Sequence, residues 1–156
     1  MRYYEDLVVG TVSHSPRSYQ VTREEVIEFA GKYDPQPFHL DDEAAKNTFF
    51  GRLSASGWHT AAMTMRMMVE TMQAGEPQAG LGSPGVDELK WHKPVYPGDE
   101  LRVETTLLSK RRMKSRNDMG LTRSQQKVFN QHDELVMSMT GNGLIRLRDP
   151  NGTDDE

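Results

Sequence analysis

The chain of 156 residues contains no cysteine. That excludes disulfides, thiolate nucleophiles and cysteine-ligated metals, and it suits a reducing compartment. No apolar run approaches the ~20 residues needed to cross a bilayer as a helix. The opening MRYYEDL carries acids where a targeting segment would be apolar. A cytoplasmic location without a membrane partner is therefore expected. An excess of positive charge is also missing: 19 lysines and arginines stand against 23 aspartates and glutamates, a net charge of −4. With no alternation of basic and aromatic residues, nucleic acid is not an expected partner. Metal-ligand spacing is absent as well, since His59 and His92 belong to no recognisable set.

What is present is periodicity, enough for one domain with a core. After a short extended piece ending at Gly10 and a brief strand at Ser18–Thr22, TREE at Thr22–Glu25 forms a capping box. It opens a helix whose apolar face holds Val26, Ile27, Phe29 and Ala30, and which ends near Gly31 to Tyr33 because Pro35 restricts Asp34 to extended dihedrals. Asp41 caps a second helix, DDEAAKNTFF, closed by Gly51. GRLSASG is then a tight loop of small residues. A third helix is expected from about Trp58 to Gln73, apolar around most of its circumference and hence buried, roughly 24 Å long.

Downstream the pattern changes to strands: Val86–His92, the alternation at Leu101, Val103, Thr105 and Leu107, GLTRSQQKVFNQ, and ELVMSMTGNGLIRLR. Helices followed by antiparallel strands indicate an α+β domain, with a curved sheet around one buried helix. KRRMKSR, Lys110–Arg116, gathers five positive charges in seven residues. It reads either as a solvated strand edge or as a landing place for a phosphorylated ligand handle.

Between the first two helices lies YDPQPFHLDD, Tyr33–Asp42, too rich in proline for a helix and too stiff for a plain solubilising loop. It offers a carboxylate at Asp34 and an imidazole at His39, groups suited to moving a proton to or from water. The spacing equally fits a turn-capping aspartate and a structural histidine. Gly57 stands where the small-residue loop enters the third helix. There a free amide could meet developing negative charge, or a crowded helix entry could require the glycine.

YDPQPFHLDDEAA followed by FFGRLSASGWHTAAM resembles the signature of the MaoC-like dehydratases, the (R)-specific enoyl-CoA hydratases of the hot-dog fold. The resemblance runs from about Tyr3 to Arg148 and includes HKPVYPGDELRVE and KSRNDMGLT. It implies a single hot-dog domain over residues 1–148, a sheet wrapped around a long central helix with a short helical overhang, and a flexible acidic tail over 149–156. By the same resemblance Asp34 is the catalytic base, His39 its catalytic partner, and the Gly57 amide the donor to the thioester oxygen. Pro37, Phe38 and Asp41 occupy matching positions. Gln36 departs from the family's asparagine, and Ser56 from the histidine that usually precedes the glycine.

The implied reaction is reversible hydration of a 2-enoyl-CoA to a (3R)-3-hydroxyacyl-CoA, with no cofactor and no metal. The implied partners are an acyl-CoA thioester and a second copy of the chain, in a homodimer or a higher homo-oligomer. Two other readings stay open. One is a hot-dog acyl-CoA thioesterase, in which water attacks the carbonyl carbon; the other is a noncatalytic acyl-CoA-binding subunit.

Overall fold

The computed structural model describes residues 1–153. Its framework is an antiparallel sheet of six strands against one long helix. The strands are β1 (Val12–His14), β2 (Tyr19–Gln20), β3 (Gly80–Trp91), β4 (Glu100–Arg112), β5 (Met119–Phe129) and β6 (Leu135–Arg146). The main path runs β1-β4-β5-β6-β3, with β2 also paired to β4. The helices are α1 (Arg23–Tyr33), α2 (Asp42–Ala45) and α3 (Gly57–Ala74).

Alternation builds the core. Leu101 and Val103 of β4, Val128 of β5, and Val136, Met137 and Met139 of β6 meet Met63 and Met67 of α3, with Val26 of α1 and Leu53 alongside. Residues 59, 63 and 67, one turn apart, share the buried face of α3. Its opposite face is not covered: Trp58, Met65 and Met72, spaced by seven, are 60%, 50% and 45% exposed. The helix is thus half-buried within one chain, where its apolar circumference suggested burial on every side.

Other boundaries differ for local reasons. The second helix stops at Ala45 instead of reaching Gly51, as the Thr48 hydroxyl takes up the Ala45 carbonyl. Strand β3 starts at Gly80, six residues before the expected Val86, and hides in GLGSPG because glycine and proline carry little strand propensity. Gly82 and Gly85 there adopt φ of 111° and 155° at register shifts against β6. The segment before Gly10 contains a 3-10 turn at Tyr4–Asp6 where an extended piece was expected.

That turn engages part of KRRMKSR. Tyr4 and Leu7 pack with Ala79, Ile145 and Leu147 in a second apolar cluster. Lys110 donates to the Tyr4 carbonyl at 3.1 Å and lies over its ring. Arg112 donates to the Asp149 carbonyl at 3.0 Å and faces Glu5, whose carboxylate takes the amides of Arg148 and Asp149. Arg116 forks onto Asp118 at 3.0 and 2.9 Å. Of the stretch expected to be a tail, 149–153 begins with these contacts, and 154–156 lies outside the described residues.

Candidate active site

Helix α1 ends where the sequence indicated, and Asp34 is its C-cap, with the Asp34 amide still bonded to Ala30. Thr22 caps the other end by accepting from the Glu25 amide. The Glu25 carboxylate does not complete the box. It accepts from the Tyr19 hydroxyl at 2.5 Å and faces His59 Nε2 at 3.7 Å.

After Asp34 the chain doubles back through a 3-10 turn at Pro37–His39, with proline at its first position. Proline suits that place because its φ is preset and no amide is needed there. The turn converts a spacer that could have spanned more than 10 Å into a fold that brings His39 Nε2 within 3.6 Å of Asp34 Oδ2. Asp41 caps α2 by accepting from Ala44, while Asp42 Oδ1 accepts from the Leu53 amide and secures the returning loop.

His39 is 4% exposed, walled by the rings of Phe38 and Phe50. Its Nδ1 lies 2.7 Å from the Ser54 carbonyl. A carbonyl can only accept, so Nδ1 carries the hydrogen and neutral His39 presents the bare lone pair of Nε2 toward Asp34. At 3.6 Å the two groups are too far apart for a direct hydrogen bond. A water oxygen about 2.8 Å from each fits that separation and could give one hydrogen to the carboxylate and the other to the imidazole.

Asp34 itself is held on both oxygens. Gln36 Nε2 donates to Oδ1 at 2.7 Å, and Ser56 Oγ donates to Oδ2 at 2.7 Å. Burial pushes its carboxyl up, but those two bonds and the nearby His39 outweigh it and leave Asp34 below the usual aspartate range.

Gly57 opens α3, one residue beyond Ser56. The Ser56 side chain makes no capping bond to the helix, so the first amides of α3 remain available to an incoming negative group. Crowding also demands the glycine, because a Cβ there would lie 2.6 Å from the indole of Trp91. Both readings of Gly57 are therefore compatible with its position. Asp34 and His39 face each other, and the Ser56–Asp34 bond ties the residue before Gly57 to the proline turn.

The other candidates fall into structural roles. His59 is 2% exposed and stacks on Phe29 with ring centroids 4.7 Å apart. Burial holds its imidazole below the ordinary range, with Glu25 opposing. Asp99 accepts from the Tyr96 amide and from Gln131 at 2.9 Å each, as a turn residue does. Sequence reading missed the Ser54 carbonyl, for which a sequence holds no signal. It also treated Gln36 and Ser56 only as departures, although serine immediately before a helix is an expected cap whose hydroxyl needs a partner.

Comparison with known proteins agrees with the geometry. The family described as MaoC like domain matches residues 7–128. The structure is similar to a MaoC-like dehydratase from Rhodospirillum rubrum, at 44% identity and a TM-score of 0.85, covering 96% of this chain and 99% of that one. It is similar to the (R)-hydratase from A. caviae involved in PHA biosynthesis, at 25% identity and a TM-score of 0.66, covering 92% and 98%. An uncharacterized protein, YdeM, from Bacillus subtilis (strain 168) is 29% identical over 142 residues, 91% of this chain and 97% of its own length. The architecture is the hot-dog fold.

Proposed function

The chain belongs to the MaoC-like dehydratase family, and from that premise we propose that it hydrates a 2-enoyl-CoA reversibly to a (3R)-3-hydroxyacyl-CoA. The observation that carries this is the 3.6 Å approach of His39 Nε2 to Asp34 Oδ2, beside the uncapped start of α3. In this reading one water sits between the two side chains and adds to C3 of the thioester. Asp34 and His39 between them take its proton and return one to C2. The Gly57 amide donates to the thioester oxygen as negative charge grows on it. Residues 1–148 are read as one catalytic domain acting in the cytoplasm.

A second copy of the chain is the proposed partner. The exposed seam of α3, Trp58, Met65 and Met72, continues through the edge-to-face contact of Trp58 with Trp91 onto β3. Strand β3 ends the sheet and exposes Leu81, Val86 and Trp91. An apolar helix seam beside an open strand edge is a surface that a homodimer would cover.

The direct test is hydration of a panel of short, medium, branched and acidic 2-enoyl-CoA thioesters, followed by loss of the conjugated thioester absorbance. Free thiol is measured in parallel. Hydration without CoA release is expected, with a (3R) product. Asp34→Asn and His39→Ala should each lower kcat about a hundredfold or more, with acyl-CoA binding retained. CoA release without hydration, or full activity in either variant, overturns the reading.

A further inference from the structure

We infer that Ser56 and Gln36 are a pair of positioning residues that clamp Asp34 as the water-orienting carboxylate, leaving His39 Nε2 as the atom that takes and returns the proton. This rests on the hydration reading above and divides the labour within its site. The two positions where the chain departs from the family's motif turn out to address one side chain. Gln36 occupies Oδ1 and Ser56 occupies Oδ2, each at 2.7 Å.

Ser56 gives the clearest sign of that role. It stands at the N-cap of an eighteen-residue helix, where serine ordinarily caps and stabilises by about 1 kcal/mol. Its hydroxyl forgoes that bond and points to Asp34. One hydroxyl thus fixes the carboxylate and leaves the amides of α3 uncapped. Gln36 reaches back two residues within the proline turn, where the longer amide side chain spans to Oδ1.

A carboxylate that accepts two charge-assisted hydrogen bonds is favoured in its ionised form, and so is a weaker base. It retains lone pairs for one hydrogen of a water. His39 differs. Its Nδ1–H is spent on the Ser54 carbonyl, and the free Nε2 lone pair faces the same space.

In the resulting step the water oxygen forms its bond to C3 as one O–H bond breaks toward His39 Nε2. The C2=C3 π electrons move onto the thioester oxygen, which the Gly57 amide meets. The enolate then collapses, and the imidazolium proton passes to C2. One water hydrogen ends on the new hydroxyl and one equivalent on C2, and His39 is neutral again. During the step the imidazolium faces the Asp34 carboxylate across 3.6 Å.

Two measurements on the full chain test this. The first is the carboxyl titration of Asp34 by carbon NMR in wild type, Ser56→Ala and Gln36→Leu; each substitution should raise its midpoint, and the pair should raise it further. The second is the pH profile of kcat/KM for 2-enoyl-CoA hydration. In wild type the acidic limb should fall with a slope of one, because Asp34 stays ionised across it. In Ser56→Ala the limb should steepen at a higher pH than in wild type, because the Asp34 midpoint has risen, and kcat should fall about tenfold or more with less change in KM. Asp34→Asn should retain more activity than His39→Ala.

Unmoved Asp34 midpoints, an unchanged limb in Ser56→Ala, or the reverse order of the last two variants overturns the inference. A wild type that hydrates no enoyl thioester overturns the hydratase reading instead, while the NMR titration still reports on the clamp.

Discussion

Trp91 of β3 covers Gly57 so closely that any Cβ at that position would meet its indole at 2.6 Å. The first residue of α3 is thereby packed against the sheet edge. Gly57→Ala must displace either the tryptophan or the helix start, and overpacking of this kind costs about 1–3 kcal/mol. Urea unfolding should show that loss. Adding Trp91→Ala opens the space, so Gly57→Ala should cost less in that background than in wild type. An equal cost in both would remove the packing requirement from Gly57.

Asp34 makes stability depend on pH in a defined window. Its folded value lies below the ordinary one of 3.8, despite burial, because Ser56, Gln36 and His39 favour the ionised form. A depressed carboxyl contributes stability that is fully present above the unfolded value and is lost as pH falls through the folded one. The stability difference between wild type and Asp34→Asn should therefore be constant from pH 7 down to about 5 and shrink below about 4. Chemical denaturation across that range measures it. A difference that grows on acidification would contradict the depressed value.

His59 acts in the same sense but at higher pH. Burial, opposed by Glu25, holds its imidazole below 6.5, and its Nδ1 is enclosed without a partner among the described residues. A proton on that nitrogen would be buried with no acceptor. The unfolded chain gains a proton below pH 6.5 that the folded chain refuses, so the protein should lose stability between pH 7 and 5. His59→Phe keeps a ring to stack on Phe29 and removes the titration. Unfolding curves of this variant should show a flatter pH dependence over that interval, and an identical slope would exclude His59 as the cause.

The way these residues were legible differs with the physics behind them. Thr22 and Pro35 bracket α1 because capping and the pre-proline restriction act within a few residues; the helix starts directly after Thr22 and stops at Tyr33, the far end of the expected Gly31–Tyr33 range. The buried face of α3 was readable from its period. The exposed seam was not, since apolar residues on two faces look alike until the partner elements are placed. The first half of strand β3 escaped because its pairing with β6 supplies what GLGSPG lacks in propensity. Asp34, His39 and Gly57 could be named from motif and chemistry. Their placement depends on a 3-10 turn and on Ser54 and Ser56, fifteen and twenty-two residues away from the groups they hold.

Arg111, Arg112, Lys114 and Arg116 look like a phosphate site in sequence, yet Arg112 is engaged by the carboxy-terminal strand exit and Arg116 by Asp118, while the neighbouring Lys110 holds the amino-terminal turn. Arg112 joins the Asp149 carbonyl and Glu5 on opposite termini of the chain. Its loss should loosen that junction without touching the thioester. Arg112→Ala should lower unfolding stability by about 1–2 kcal/mol and leave KM for an enoyl-CoA within about twofold. A large rise in KM with unchanged stability would restore the phosphate reading.

Residues 58, 65 and 72 of α3 repeat every seven positions, the spacing that keeps side chains on one face of a helix against a second helix. Among the described residues this face stays 45–60% exposed and carries the Trp58–Trp91 contact, although the face at 59, 63 and 67 is buried. Burying the exposed half of three such side chains contributes roughly 1 kcal/mol each, a gain that only a second surface can realise. Met65→Glu places a charge at the middle of the seam without disturbing the core face. Light scattering should find wild type as a dimer and this variant shifted toward monomer, with circular dichroism unchanged. A monomeric wild type would instead leave the seam uncovered and remove the support it lends to the homodimer.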